Sequence, residues 1–466
     1  MRLEKWFISN LDDYQRKVIV ESIDKNIIVQ GSAGSGKTNL AIHRAAKAKN
    51  AGGTYAIVIL TVALKRMIAY GMKALGLDHE RIAYEWAWQN RGFDLTGDVY
   101  CKQHKEVVKR KIWRDNAFVT VEMNIPVVDD KENLYLVVND KVRKFHFVSR
   151  ETPDYEMKKK SCYGLDFANW VDDAYYRAWN RRWSYFEEVE NDDDFDISNE
   201  SKYGIIPSGT LYKPKEDKID YLIVDEAQDF NISDYVNRIL PFVRKSMTLL
   251  GDTNQKLIKN GSGIDVLRRH FSDYKPFDLY YNYRLPKAIA KVAQKIVKDD
   301  TDLIMSNMKD GGASDYPFYP KPIIKKCQSK EDELKWIINK IKMEDLDDVA
   351  ILVPRESDIV FVKEYLAQNG ITEIAVHYRT GKSAPFFTIS TLDFTNNDLP
   401  CVLNYYAAKG TEFDNVFVPF ANRGNIESEN ALYVACTRAS YQLFITYSTV
   451  LTSFLKDVNP DDVVKM

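Results

Sequence analysis

The octapeptide GSAGSGKT, Gly31 to Thr38, constrains this chain more than any other segment in it. It fits the pattern G-x-x-x-x-G-K-[ST], with Gly31, Gly36, Lys37 and Thr38 in the fixed positions. NIIVQ before it, Asn26 to Gln30, reads as a short buried strand, and NLAIHRAAKAK from Asn39 reads as a helix. Small residues between strand and helix let successive backbone N–H groups, a lysine ammonium and a helix N-terminus converge on phosphate oxygens. Gly31, Ser32, Ala33, Gly34, Ser35, Gly36, Lys37 and Thr38 are therefore the candidate phosphate-binding loop. Such a strand–loop–helix unit belongs to a parallel sheet covered by helices, so the expected fold class is α/β.

A second segment, YLIVDEAQDF from Tyr221 to Phe230, ends an apolar strand in two adjacent carboxylates. In an open α/β sheet that strand end is where ligands bind. Asp225 would hold Mg²⁺ together with Thr38, and Glu226 would orient and deprotonate an attacking water. Two acids after a strand are by themselves more often the start of a helical turn. With a phosphate loop upstream, the catalytic reading becomes the better one, and the pair describes a nucleotide hydrolase.

The spelling DEAQD resembles the superfamily 1 helicases of the UvrD/Rep type, and further segments follow in that family's order. LDDYQRKVI, Leu11 to Ile19, looks like its adenine-reading segment, with Gln15 facing the base. LLGDTNQ, Leu249 to Gln255, looks like its GDxxQ motif, where Gln255 would sense the γ-phosphate and Asp252 the metal site. LYYNYRLPKAI, Leu279 to Ile289, looks like LxxNYR, so Tyr283 would stack on adenine and Arg284 would reach the γ-phosphate. AAKGTEFDNVFVPF, Ala407 to Phe420, resembles AKGLEFD, with Glu412 at the ribose, and YVACTRAS, Tyr433 to Ser440, resembles YVALTRA, with Arg438 as a second arginine finger. The resemblance implies two RecA-like P-loop NTPase domains with an inserted α+β accessory domain. The physics agrees with that set: phosphoryl transfer is accelerated by cations placed where charge develops, and arginine's planar fork suits remote positions.

Composition narrows the alternatives. A net charge of −2 argues against a general polyanion-binding surface, so contact with nucleic acid must come from local patches. The five cysteines, Cys101, Cys162, Cys327, Cys401 and Cys436, show no C-x-x-C spacing, and the six histidines are dispersed. No zinc ribbon, iron–sulfur cluster or disulfide framework is indicated. With no apolar run long enough to span a bilayer and no cleavable apolar leader, the expectation is a cytoplasmic protein without a membrane partner.

The segments imply an order of domains. Residues 1–80 and 216–275 are expected to form the phosphate-loop domain, 81–215 an inserted accessory domain, and 276–466 the second α/β domain. Within the insertion, Lys102 to Arg114 (KQHKEVVKRKIWR) reads as a basic helix, Ala117 to Ser149 alternates like strands, and Trp170 to Glu190 reads as an aromatic-rich helix. Relatives carry a sizeable 2B insertion in the second α/β domain between the NYR and AKG motifs, and the stretch from His377 to Asn404 is too short for one.

Contacts to a nucleic-acid strand are less legible than the ATP site. The candidates are Thr61, Lys109, Arg110 and Tyr406, while Leu60 and Asn260 stand where the relatives place aromatic residues. The function expected is an ATP- and Mg²⁺-dependent motor on single-stranded DNA, moving 3′ to 5′ by resemblance, with RNA an open alternative as the track. The competing reading is an ATP-hydrolysing sensor or regulatory subunit acting on a protein partner such as a nuclease.

Overall fold

The computed structural model describes residues 11–78, 81–84, 93–102, 105–114, 117–126, 133–138, 141–148, 151–158, 162–165, 184–190, 195, 203–213, 218–283, 285–297, 319–380, 387–392 and 399–466. The chain divides into two compact units, one of residues 1–85, 217–378 and 389–466, the other of 86–216 and 379–388.

The first unit contains two sheets. Its six-stranded sheet runs in the order Lys275–Leu279, Ile27–Gly31, Val243–Gly251, Ile219–Val224, Tyr55–Ile59, Ile82–Tyr84. Every pairing in it is parallel. Strands such as Tyr55–Ile59 and Ile219–Val224 are buried along their whole length, which explains their continuous apolar runs. Because the strands are parallel, Gly31, Val224, Gly251 and Leu279 end at one edge, with the phosphate loop, the DEAQD turn, the GDTNQ turn and the NYR segment following them. Four segments far apart in sequence thus share one rim.

Before that sheet, the helix Asp13–Val20 begins with a capping box in which Asp12 and Gln15 satisfy each other's backbone N–H groups. Its other end is closed by Arg44, a fully buried side chain. The Arg44 guanidinium donates to the carbonyls of Val18, Glu21 and Ser22 and to the Thr248 hydroxyl, so the helix is pinned to the sheet. Each carbonyl left without a donor there would cost roughly 1–3 kcal/mol.

The eight-stranded sheet has the order Phe387–Ser390, Ala375–Thr380, Cys401–Asn404, Val349–Val353, Phe413–Val418, Ala439–Tyr447, Ile323–Lys326, Val464–Lys465. Its central pairings are parallel. The helices Lys330–Glu344 and Glu356–Gln368 bury Leu334, Ile337, Val362 and Leu366 against Ile351, Phe417 and Phe444 of the sheet. These are the expected two α/β sheets.

The second unit is built from strands. Ser184–Val189, Lys141–Val148, Asn133–Val138, Phe93–Lys102, Tyr203–Lys213 and Tyr163–Leu165 close into an antiparallel barrel, the last strand pairing back onto the first. Leu134, Leu136, Phe145, Phe186 and Leu211 are buried in this unit, and Phe195 stacks on Tyr135 with ring centroids 4.4 Å apart.

Two expectations fail in this unit. The basic segment is not a helix: Lys105–Arg114 is a strand paired antiparallel with Ala117–Pro126, from Lys105 opposite Pro126 to Arg114 opposite Ala117. The helical spacing of Lys102, Lys105 and Lys109, and of Arg110 and Arg114, therefore does not describe which of them share a face. The aromatic-rich segment is a strand where described, at Ser184–Val189, and Trp170 to Trp183 lie outside the described residues. Both errors have one physical cause: cross-strand hydrogen bonds to a partner strand override a local helical pattern.

No described helix is long and apolar enough to cross a membrane. Cys162, Cys327, Cys401 and Cys436 are buried and form no disulfide.

Candidate active site

The phosphate loop takes its shape from two glycines that need left-handed backbone, Gly34 at φ 79° and Gly36 at φ 85°. Gly36 precedes the first residue of the helix Lys37–Asn50. A Cβ on Gly36 would lie 2.5 Å from Nε2 of Gln15, so this glycine also makes room for the side chain beside it. Lys37 is 7% exposed, and its ammonium donates to the carbonyls of Gly31 (2.8 Å) and Ser32 (3.0 Å), within the loop. An ammonium held there is placed for phosphate oxygens.

Asp225 is fully buried at the end of Ile219–Val224, its N–H bonded to the Val58 carbonyl (3.0 Å). Burial, reinforced by the Glu226 carboxylate, pushes its carboxyl above the usual range, while the neighbouring Thr38 hydroxyl and the Lys37 charge oppose this. Oδ1 accepts the Glu226 N–H (3.0 Å), and Oδ2 is buried with no hydrogen-bond partner among the described residues. An orphaned carboxylate oxygen beside a threonine hydroxyl fits a hard divalent cation such as Mg²⁺, which takes oxygen ligands and completes its shell with water and phosphate. The described residues contain no group of three or more His, Cys, Asp and Glu that could hold a metal without such help.

Glu226 stands at φ 56°, a left-handed conformation that costs a non-glycine residue roughly 1 kcal/mol. Oε2 accepts from Gln228 Nε2 (2.7 Å) and faces the Lys409 ammonium at 3.1 Å. Burial works to raise its carboxyl, but the charges of Lys409 and Lys37 outweigh that and hold it below its ordinary value. That direction favours the carboxylate form, the form a proton acceptor requires.

Gln255 and Asp252 close the rim on the GDTNQ turn. Gln255 Nε2 donates to Asp252 Oδ2 (2.8 Å), and Gln255 Oε1 accepts from Arg438 Nη2 (3.2 Å). Arg438 is 1% exposed and also donates to the carbonyls of Val434 (2.9 Å) and Thr411 (3.1 Å) and to the Thr437 hydroxyl (3.1 Å). The arginine that follows the helix Glu429–Cys436 thus touches the glutamine on the phosphate-loop sheet.

The remaining expected residues divide. Gln15 is 2% exposed and both ends of its amide are engaged, Oε1 by the Asp12 N–H (3.0 Å) and Nε2 on the Ser35 carbonyl (3.0 Å). It therefore braces the phosphate loop. Tyr283 donates its backbone N–H to Gly34 (3.1 Å) and its hydroxyl to the Asp12 carboxylate, in an aromatic group with Tyr14, Tyr280 and Tyr281. Glu412 is half-buried, directly before Phe413–Val418. Arg284 lies outside the described residues.

Of the strand-contact candidates, Thr61 caps the helix Val62–Ala74 and donates to the Lys409 carbonyl (3.3 Å). Tyr406 donates its hydroxyl to Glu427 (2.8 Å) and lies 3.3 Å from the Leu257 carbonyl. Lys109 and Arg110 fall on Lys105–Arg114 in the other unit, and their side chains are outside what is described.

Three site residues carry no expectation from sequence: Gln228, Asp229 and Lys409. Gln228 bridges Glu226 and the Asp252 N–H (3.1 Å), and it leaves no room for a Cβ at Gly251, which would come within 2.4 Å of its Oε1. Asp229 accepts the N–H groups of Leu257 (2.7 Å) and Ile258 (2.8 Å) and pairs with Lys409. Gln228 and Asp229 lie within DEAQD and Lys409 within AKG, so the motifs themselves were the available signal.

Comparison with known proteins agrees with the two α/β sheets. A family model described as an AAA domain matches residues 15–261, more than half the chain. Two models described as UvrD-like helicase C-terminal domains match 277–394 and 400–446. A probable DNA helicase of Mycoplasma pneumoniae is 26% identical over 280 residues, covering 54% of this chain and 47% of the relative. The ATP-dependent DNA helicase PcrA of Staphylococcus epidermidis is 21% identical over 363 residues, covering 72% of this chain and 46% of the relative. The chain thus spans about half the length of the curated relatives it matches. With the phosphate loop, both carboxylates, the GDxxQ glutamine and the C-terminal arginine at one rim, and family models matching in order on both sheets, the chain belongs to the UvrD-like superfamily 1 helicases.

Proposed function

We propose that this protein is an ATPase motor that moves along single-stranded DNA, with ATP bound at the rim of the six-stranded sheet and hydrolysis completed by residues of the eight-stranded sheet. The observation that carries this reading is the meeting at Gln255: its side chain holds Arg438 and its carbonyl holds Lys409, both from the second sheet, while Asp252 beside it belongs to the first. A site that needs both sheets is assembled or taken apart by their relative movement, which is how hydrolysis becomes mechanical work.

In this reading Lys37 and the loop N–H groups bind the phosphates, Thr38 and Asp225 hold Mg²⁺, and Glu226 accepts a proton from the attacking water. The cation would supply positive charge to the phosphate oxygens. Arg438 and Arg284 would meet the charge that develops on the transferring phosphoryl group, with Arg438 exchanging its present acceptors for phosphate. Tyr283 and its aromatic neighbours supply a surface for the adenine, and Glu412 a contact for the ribose. Thr61 and Tyr406 would touch the strand, and 3′ to 5′ movement follows the family resemblance.

Steady-state ATP hydrolysis measured alone and with single-stranded DNA, duplex DNA or single-stranded RNA tests the reading. Single-stranded DNA is expected to raise kcat by about 10-fold or more, since closing a site from separated parts gains large factors from orientation. Hydrolysis indifferent to every polymer would contradict a motor and favour a switch that reports to a protein partner.

A further inference from the structure

Lys409 is one of the largest fully buried side chains of the molecule. A buried ammonium is costly unless all three of its protons are taken and its charge is balanced. Here they are: Asp229 Oδ2, Glu226 Oε2 at 3.1 Å and the Gln255 carbonyl at 2.9 Å surround it. Lys409 lies just beyond the end of Cys401–Asn404 in the second sheet, and all three acceptors belong to the first sheet's rim. The effect on Glu226 is asymmetric. Lys409 and Gln228 both occupy Oε2, whereas Oε1 has no hydrogen bond among the described residues.

We propose that Lys409 is a positioning residue for hydrolysis: by holding Oε2 of Glu226 it reserves Oε1 for the attacking water, and it makes that alignment conditional on how the 405–412 segment is seated. This rests on the reading of Glu226 as the proton acceptor. In the step concerned, a water oxygen bonds to the γ-phosphorus, its proton passes to Glu226 Oε1, and the bond from the γ-phosphorus to the departing ADP oxygen breaks.

The seating of that segment is tightly specified. Thr61 donates its hydroxyl to the Lys409 carbonyl (3.3 Å), and Arg438 holds the Thr411 carbonyl (3.1 Å). Gly410, at φ 81°, lies so close to the helix Val62–Ala74 that a Cβ would come within 2.7 Å of Leu64 Cδ1. Thr61 and Tyr406, the two proposed strand contacts in this unit, are respectively bonded to this segment and part of it. A strand bound across them acts on the peptide that carries Lys409, which gives polymer binding a short route to the proton acceptor.

The test compares wild type, Lys409→Met, Lys409→Met/Asp229→Asn, Glu226→Gln and Lys409→Met/Glu226→Gln. Each is measured for kcat and KM of ATP hydrolysis with single-stranded DNA, for the Kd of a fluorescent ATP analogue, and for melting temperature. Lys409→Met leaves two buried carboxylates, Glu226 and Asp229, without their cation and can unfold the protein; the variant with Asp229→Asn removes one of the two charges and keeps the Oδ1 acceptor for Leu257 and Ile258. Both Lys409 variants in the Glu226 background are expected to lose about 30- to 100-fold in kcat, with Kd and KM within about threefold of wild type. Adding Lys409→Met to Glu226→Gln is expected to cost under about threefold more, because a residue that acts through Glu226 has nothing left to position. A kcat within about threefold of wild type in Lys409→Met/Asp229→Asn, or an equal loss in both Glu226 backgrounds, overturns the proposal. Those results with an active wild type refute this inference alone, whereas a wild type inactive with every polymer removes the enzymatic reading as well.

Discussion

Glu226→Gln is expected to bind ATP with near wild-type affinity and to lower kcat by about 10²- to 10⁴-fold, the range typical of losing a general base. The amide is nearly isosteric and its oxygen can still accept from Gln228 and Lys409, so the buried arrangement around Oε2 survives. What disappears is the capacity to take a proton, because an amide replaces the carboxylate that sits beside Lys409. A nucleotide-affinity measurement beside single-turnover hydrolysis separates the two effects. Turnover within about 10-fold of wild type would remove Glu226 from the role of proton acceptor.

Lys37→Ala has the largest expected effect, because it acts on binding and on chemistry together. The ammonium is buried in the phosphate loop on the Gly31 and Ser32 carbonyls, and among the described residues no second lysine or arginine is bonded to those carbonyls. Charge-assisted bonds to phosphate contribute roughly 1.5–3 kcal/mol each, so ATP affinity should fall by about 10- to 100-fold. Loss of a cation from the transition state adds a further ~10²- to 10³-fold in kcat. Isothermal titration with a non-hydrolysable ATP analogue and steady-state kinetics read these separately. Wild-type affinity and turnover in this variant would show that the loop is not the phosphate site.

The first sheet was readable because its signals are local. The phosphate loop needs glycine at particular backbone angles, and Gly34 and Gly36 adopt them; the apolar runs before Gly31 and Asp225 are buried strands of the six-stranded sheet. The accessory unit was not readable in the same way. The basic run at Lys105–Arg114 has no strict alternation of apolar and polar residues, and its strand identity comes from Ala117–Pro126. Asp115-Asn116 between the two runs was the available turn signal. Closure of Tyr163–Leu165 onto both Ser184–Val189 and Tyr203–Lys213 joins strands that no periodicity within one segment could pair.

For the site, motif spelling indicated which residues converge and not what each of them holds. Gln15 was expected at a base edge, and its amide is spent on Asp12 and Ser35. Arg438 was expected at a phosphate, and its guanidinium is bonded to Gln255 and the 411, 434 and 437 positions. Lys409 carried no expectation, because an ammonium's partners across 180 residues of sequence are set by packing between two sheets.

ATP hydrolysis by this chain is proposed to drive movement along single-stranded DNA. Displacement of streptavidin from biotin-tagged oligonucleotides, blocked at either the 5′ or the 3′ end, tests it most directly. With ATP, wild type is expected to clear the 5′ block and leave the 3′ block, and Glu226→Gln is expected to clear neither. Rapid, DNA-stimulated hydrolysis that displaces streptavidin from neither end would contradict the claim.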